Sequence, residues 1–182
     1  MREPDENVGG GRQAASMTSD AAERDLLLGR LRGQRRHILD QLDGLNDEQL
    51  RMATLPSGWS ILGLVRHLTL SDERYWFEAV MGGAPLDFWP EGDNADWRVA
   101  ADESAERVIA DYRAAAAASD ALIESLPLNT PPKSPEDWWS AAGLAFPDLR
   151  TVIVHVLIET ATHAGHLDAA RELIDGRQYI VL

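Results

Sequence analysis

The sequence predicts an all-α fold, a four-helix bundle with two long crossover-type loops. Three observations predict it. Apolar residues recur at three- and four-residue spacings over four long stretches, the mark of helices with one buried face. No stretch offers a convincing strand. Two Pro-, Gly- and Trp-rich segments of about 20 residues separate the second from the third helix and the third from the fourth, lengths that in a compact domain usually serve function or cover a core.

Residues 1–17, with Gly9, Gly10, Gly11 and scattered charges, carry no apolar period. They are expected to form a disordered leader, with Met17 an alternative start, and residues 18–182 to form a single domain. The first helix is expected over 20–44, opened by the capping pair Asp20 and Glu23 and followed by Leu27, Leu31, Ile38 and Leu42. Asn46 and Gln49 make a second capping signal, for a short turn before the loop at 55–58. The second helix is expected over 59–81, stopped by Gly82 and Gly83, with Leu64, His67, Leu68 and Tyr75 facing inward. A loop containing Pro85, Phe88, Trp89, Pro90, Gly92 and Trp97 follows. The third helix, 103–126, has an Ala-rich centre at 114–118 that fits either a close helix approach or a cavity. After a second loop with Pro131, Pro132, Trp138 and Trp139, Asp148 caps a fourth helix running to about 175. Its expected seam is 152, 156, 159, 163, 166 and 170, and residues 178–182 are read as an extended tail.

Composition narrows the chemistry. At 182 residues the chain can bury a core without covalent staples. It has no cysteine, so disulfides and protein thiolate ligands are excluded and His, Asp and Glu remain as metal ligands. A net charge of -13 argues against a nucleic-acid partner. No apolar run reaches the roughly 20 residues that span a bilayer, and no signal peptide is evident; a cytoplasmic location without a membrane partner is expected. A homodimer fits bundles in general, although no exposed seam is clear enough to name.

The candidate site follows from helical spacing. Glu159 and His163 are four residues apart and share a helix face, and His67 lies mid-helix far upstream. A carboxylate and two imidazoles would hold one metal and leave a coordination position open, as catalytic sites do. His155, Glu159 and His163 span about 12 Å of helix rise, too far for one ion to take all three. The helix pair is therefore either His155 with Glu159 or Glu159 with His163, completed by His67. His166, one turn beyond His163, is a candidate proton-transfer or supporting residue. His37, beside Arg35 and Arg36, reads as an ordinary hydrogen-bonded histidine. Other architectures fit worse: Glu159 is followed at i+3 by Thr162, not by the His of di-iron bundles, and neither His-Glu-x-x-His nor Gly-x-Ser-x-Gly occurs. Of the loop tryptophans (Trp89, Trp97, Trp138, Trp139), the simplest role is to pin the loops, the functional one to roof a pocket for an apolar substrate. The acidic run 91–96 reads as solvated surface.

Residues 56–68 (PSGWSILGLVRHL), the words Phe88-Trp89-Pro90 and Ala95-Asp96-Trp97-Arg98, and residues 158–168 (IETATHAGHLD) together resemble the DinB-like superfamily, most closely its mycothiol-dependent transferases. The resemblance covers about residues 22–176. It implies a bundle with a metal triad at one end of the core and selects His67, Glu159 and His163 over the set with His155. The sequence Ala164-Gly165-His166 stands where many members carry Arg-Gly-Gln, which leaves the role of His166 open. The implied cofactors are a divalent metal, zinc preferred with nickel, manganese or iron as alternatives, and mycothiol or a similar thiol as co-substrate. The implied activity is S-transfer from that thiol to an electrophile. A metal-water hydrolase on the same triad and a non-catalytic bundle that binds a small ligand or dimerises are the alternatives.

Overall fold

The computed structural model describes residues 8–179. The chain is all-α: α1 (Val8–Asp40), α2 (Asp47–Arg51), α3 (Ile61–His67), a π-helical segment (Leu68–Met81) continuing α3 without a break, α4 (Ala105–Ser125), α5 (Trp138–Ala141) and α6 (Leu149–Asp175). There is no strand among the described residues. α1 packs on α6 and α4, and the α3–π segment packs on α4 and α6. No helix among the described residues is long and apolar enough to cross a membrane.

Helix ends follow the sequence closely where side-chain caps decide them. Asn46 and Gln49 form a reciprocal capping box, with Gln49 N donating to Asn46 Oδ1 at 2.9 Å and Asn46 N to Gln49 Oε1 at 3.0 Å. Asp148 accepts from Thr151 N at 3.0 Å, a cap contributing about 1 kcal/mol. Gly176, at φ 77°, closes α6 in the left-handed conformation that glycine tolerates best.

Four expectations change. The backbone of α1 begins at Val8, taking in residues 8–17 of the expected leader, while residues 1–7 lie outside the described residues; once a helix is nucleated, each added residue gains a hydrogen bond. Asp20 and Glu23 therefore cap nothing, and Glu23 instead accepts from Arg150 Nε at 2.6 Å. The second helix changes winding at Leu68. Its buried pairs recur every four residues (Leu68 and Thr69, Asp72 and Glu73, Trp76 and Phe77, Val80 and Met81), a repeat that a π-helix sustains better than an α-helix of 3.6 residues per turn. Gly82 N donates to Phe77 O, five residues back, at 2.9 Å. On α6 the expected seam positions Val152, Val156 and Ala170 are buried, but Leu149, Thr160, Ala164 and Leu167 complete the seam; Glu159 and His163 flank it half-buried and His166 is exposed. Of the expected tail, residues 180–182 lie outside the described residues.

The core has two apolar halves. Leu28, Leu31, Trp76, Phe77, Ile123, Val152 and Val156 belong to one, and Ile38, Leu64, Leu68, Val108, Tyr112, Ala164 and Leu167 to the other. Between them each long segment contributes polar residues: Arg35 from α1, Asp72 and Glu73 from the π segment, Ser119 and Asp120 from α4, and Thr160 from α6. Arg35 grips both oxygens of Glu73 (2.7 and 2.6 Å) and reaches Asp120 at 2.5 Å. That bidentate geometry offsets the cost of burying the charges. The candidate site opens off this polar belt.

Candidate functional site

His67 ends α3 and is held from two sides by the loop that follows the π segment. Its Nδ1–H donates to Asp96 Oδ2 at 2.6 Å, and its ring stacks on Trp97 with centroids 4.0 Å apart and planes at 17°. A short 3-10 turn (Ala95–Trp97) carries both partners. The turn sits directly against α3 because Gly63, one helical turn before His67, has no side chain; a Cβ there would run into the Trp97 carbonyl oxygen. Asp96, expected in solvated surface, is instead buried. Burial lowers the His67 pKa below the usual 6.5 although Asp96 and Glu159 both raise it. The Asp96 contact is therefore a hydrogen bond from a neutral imidazole at neutral pH, not a full ion pair. It directs the Nε2 lone pair outward, the arrangement that metal-binding histidines use.

From α6, His163 meets His67 ring-edge to ring-face, with centroids 5.0 Å apart, and lies 5.6 Å from Trp97. Burial, with help from His67 and His166, pushes its pKa down to about 4. Its Nδ1 is buried without a hydrogen-bond partner, a cost that a native fold rarely tolerates without use. Glu159, one turn earlier, stands close enough for its charge to raise the pKa of His67, His155 and Asp72. His155 lies among aromatic rings, 4.6 Å from Trp76 and 4.9 Å from Phe146, and burial lowers its pKa. His166 is exposed, its ring 5.8 Å from that of His163.

His67, Ser71, Asp72, Tyr75, Trp76, Trp89, Trp138, His155 and Glu159 line a cavity of about 410 Å³, within the usual size of small-molecule sites. The two long loops divide their tryptophans between two jobs. Trp97 and Trp139 pin the loops, Trp139 stacking on Trp76 at 5.6 Å. Trp89 and Trp138 remain 39% and 50% exposed and wall the cavity.

Asp72 was not foreseen as part of this wall. It is buried like its neighbour Glu73 but makes no ion pair among the described residues: the Thr160 hydroxyl donates to Oδ2 at 3.2 Å and Arg35 acts on it only from a distance. Burial, with the charges of Glu73 and Glu159, raises its pKa well above the usual carboxylate range. Asp72 lies four residues after Leu68 and three before Tyr75, both expected to face inward, so helical spacing already admitted it to this face; it was passed over as a carboxylate, not hidden by the winding.

A larger cavity, of about 650 Å³, lies between the π segment and the Ala-rich face of α4, lined by Ala114, Ala115 and Ala118. It answers the question left open by those small residues, but none of the site histidines reaches it. His67, His155 and Glu159 line the smaller cavity instead, while His163 lies beside His67 and is not among its lining residues.

As a donor set, His67, Glu159 and His163 fit a divalent cation: two neutral imidazoles, one backed by a carboxylate and one with an orphaned buried nitrogen, and one carboxylate beside them. As the side chains stand, no three His, Asp or Glu among the described residues converge tightly enough to hold an ion. No curated protein and no solved structure matches the chain. A family model described as Mycothiol-S-transferase matches residues 26–176, and a chain so matched over most of its length belongs to that family.

Proposed function

We propose that this protein is a metal-dependent S-transferase that conjugates mycothiol, or a similar low-molecular-weight thiol, to an electrophile. The observation that carries the reading is the meeting of two neutral imidazoles, His67 and His163, with ring centroids 5.0 Å apart, His67 having Nδ1 committed to Asp96 and Nε2 left free. In this reading His67, Glu159 and His163 hold the metal. The family membership supports the thiol chemistry.

Each side chain has a task that its setting supports. Asp96 fixes the tautomer and plane of His67, and Trp97 stops the ring from rotating. The low pKa of His163 keeps its lone pair available throughout the physiological range. Glu159 contributes the one anionic donor, so the site retains net positive charge toward a thiol. A divalent cation there, zinc by preference and nickel, manganese or iron otherwise, supplies the Lewis acidity that lowers a thiol's pKa and makes thiolate available at neutral pH. The sulfur then bonds to the electrophilic carbon, the displaced group leaves with its electron pair, and exposed His166 passes the thiol proton to solvent. The cavity walls hold the electrophile and exclude water.

The same reading takes residues 18–182 as one DinB-like four-helix bundle with crossover-type loops, acting in the cytoplasm, with self-association into a homodimer. The packing of α1, the α3–π segment, α4 and α6 supports the bundle.

Metal analysis together with thiol consumption tests the proposal. Protein purified without chelators should carry about one metal per chain, Glu159→Ala should lower metal affinity more than tenfold, and the metal-loaded protein should consume mycothiol in the presence of a model electrophile. Failure to consume any of several thiols, or ester cleavage without thiol, would overturn it.

A further inference from the structure

We infer that the electrophile accepted by this site is an aromatic molecule without anionic substituents. The inference rests on the S-transferase reading and adds a substrate class to it. Its basis is the composition of the cavity wall. Tyr75 and Trp76 from the π segment, Trp89 from the first long loop and Trp138 from the second surround one space of about 410 Å³. Trp76 is committed to protein, its ring packed against His155, Trp139 and Phe146 at 4.5–5.6 Å. Trp89 and Trp138 have looser ring contacts, Trp89 edge-on to Tyr75 at 6.1 Å and Trp138 edge-on to Trp139 at 6.5 Å. They keep 39% and 50% of their surface open, come from separate loops, and border the same space. A flat ring entering the cavity and lying against either indole covers that open surface and gains the offset or edge-on contacts that aromatic pairs favour.

Charge sets the second half of the class. The lining includes the carboxyl groups of Asp72 and Glu159 and no lysine or arginine. A substrate carboxylate buried against this wall would meet two carboxyl groups and no lysine or arginine among the described residues, so its charge would go unpaired. The larger cavity differs, with Arg66, Arg74 and Arg107 on its wall. An activated aryl halide meets the description: the thiolate sulfur bonds to the ring carbon, the carbon–halogen bond breaks, and the halide leaves with the electron pair while the thiol proton goes to solvent.

Two measurements on the full chain test this. The first is calorimetric binding of unreactive 1,3-dinitrobenzene and 3,5-dinitrobenzoate to the protein as purified, with no thiol present. The neutral ring should bind at least tenfold tighter, and Trp89→Ala and Trp138→Ala should each weaken it severalfold with unchanged far-UV circular dichroism. Saturating mycothiol should leave that affinity intact. Equal or tighter binding of the benzoate, indifference to both tryptophan variants, or competitive displacement by mycothiol would overturn the inference.

The second compares rate enhancement over the uncatalysed reaction for 1-chloro-2,4-dinitrobenzene, 4-chloro-3-nitrobenzoate and iodoacetamide with mycothiol and metal. The first should exceed the others at least tenfold. Equal enhancement for all three would overturn the substrate class and leave the transferase reading standing. Selective binding with no thiol consumed would uphold the aromatic class as a ligand class and overturn the transferase reading.

Discussion

His37 and His67 have nearly the same immediate surroundings and different prospects. His37 Nε2 meets Asp168 Oδ1 at 2.7 Å and its ring stacks on Tyr179 at 3.8 Å. His67 Nδ1 meets Asp96 Oδ2 at 2.6 Å and its ring stacks on Trp97 at 4.0 Å. A carboxylate partner and a stacked ring are therefore not what marks a site. The difference lies in what surrounds the rest of the ring. His67 borders a cavity and faces His163 at 5.0 Å with Glu159 nearby; His37 lines neither cavity and has no second histidine beside it among the described residues. One arrangement ties α1 to α6 and the tail. The other presents a lone pair to a space where something can bind.

Four substitutions or conditions break or sharpen this contrast. The largest effect is expected for His67→Ala, which should lower metal affinity by about 100-fold or more, while His37→Ala leaves metal content unchanged; metal analysis of the two purified variants decides it. Acid should come next. In chelator-treated protein, His163 titrates at about 4 when folded against about 6.5 unfolded. Between those values the unfolded state binds more protons, so stability falls as pH is lowered from about 6.5 through about 4, by on the order of 2–3 kcal/mol. His163→Asn should remove that share of the acid sensitivity, read as the pH dependence of urea unfolding. Asp72 contributes with the opposite sign, since its raised pKa stabilises the fold at low pH and is lost as pH rises, and comparing the two proteins cancels it.

A third, smaller effect separates the two carboxylate partners. Asp96→Asn should cost about 10- to 100-fold in metal affinity, as partners of ligating imidazoles usually do, and Asp168→Asn should cost none. The smallest is Gly63→Ala. The added methyl forces the Trp97 backbone off α3, and a severalfold loss of metal affinity is expected with destabilisation of about 1–3 kcal/mol. An unchanged affinity would mean that the 95–97 turn holds His67 without help from Gly63.

The sequence disclosed the parts of this molecule that local rules govern. Asn46 with Gln49, Asp148 and Gly176 mark helix ends through bonds to residues three or four away, so α2 and α6 could be bounded by reading along the chain. Ser104, whose hydroxyl accepts from Arg107 N at 3.2 Å, likewise fixes the start of α4 close to the expected position. The pairing of His67 with His163 joins residues 96 positions apart; spacing placed both on helices, but past Val156 the buried face of α6 runs one residue later than expected, through Thr160, Ala164 and Leu167, so His163 flanks it. Asp96 was not legible in that way. Nothing local distinguishes it from Asp93, and its burial follows from a loop folding back onto Gly63. Asp72 shares a helix face with Leu68 and Tyr75, four residues before and three after it, and was passed over because nothing local says that a carboxylate there stays buried without an ion pair. The tryptophans split evenly between the two readings, because whether an indole anchors a loop or walls a cavity depends on contacts that the loop makes only once folded.

The stack of Trp97 on His67 also gives the site an optical voice. An indole 4.0 Å from an imidazole changes emission when that imidazole gains a proton, and a paramagnetic ion seated on the same ring would quench it. Protonation of His67, or seating of a paramagnetic ion there, would therefore register in the protein's own fluorescence, and comparison with a Trp97→Phe variant would isolate that signal from the other five indoles. Binding order, exchange between metals and arrival of a thiol become stopped-flow measurements that need no added dye.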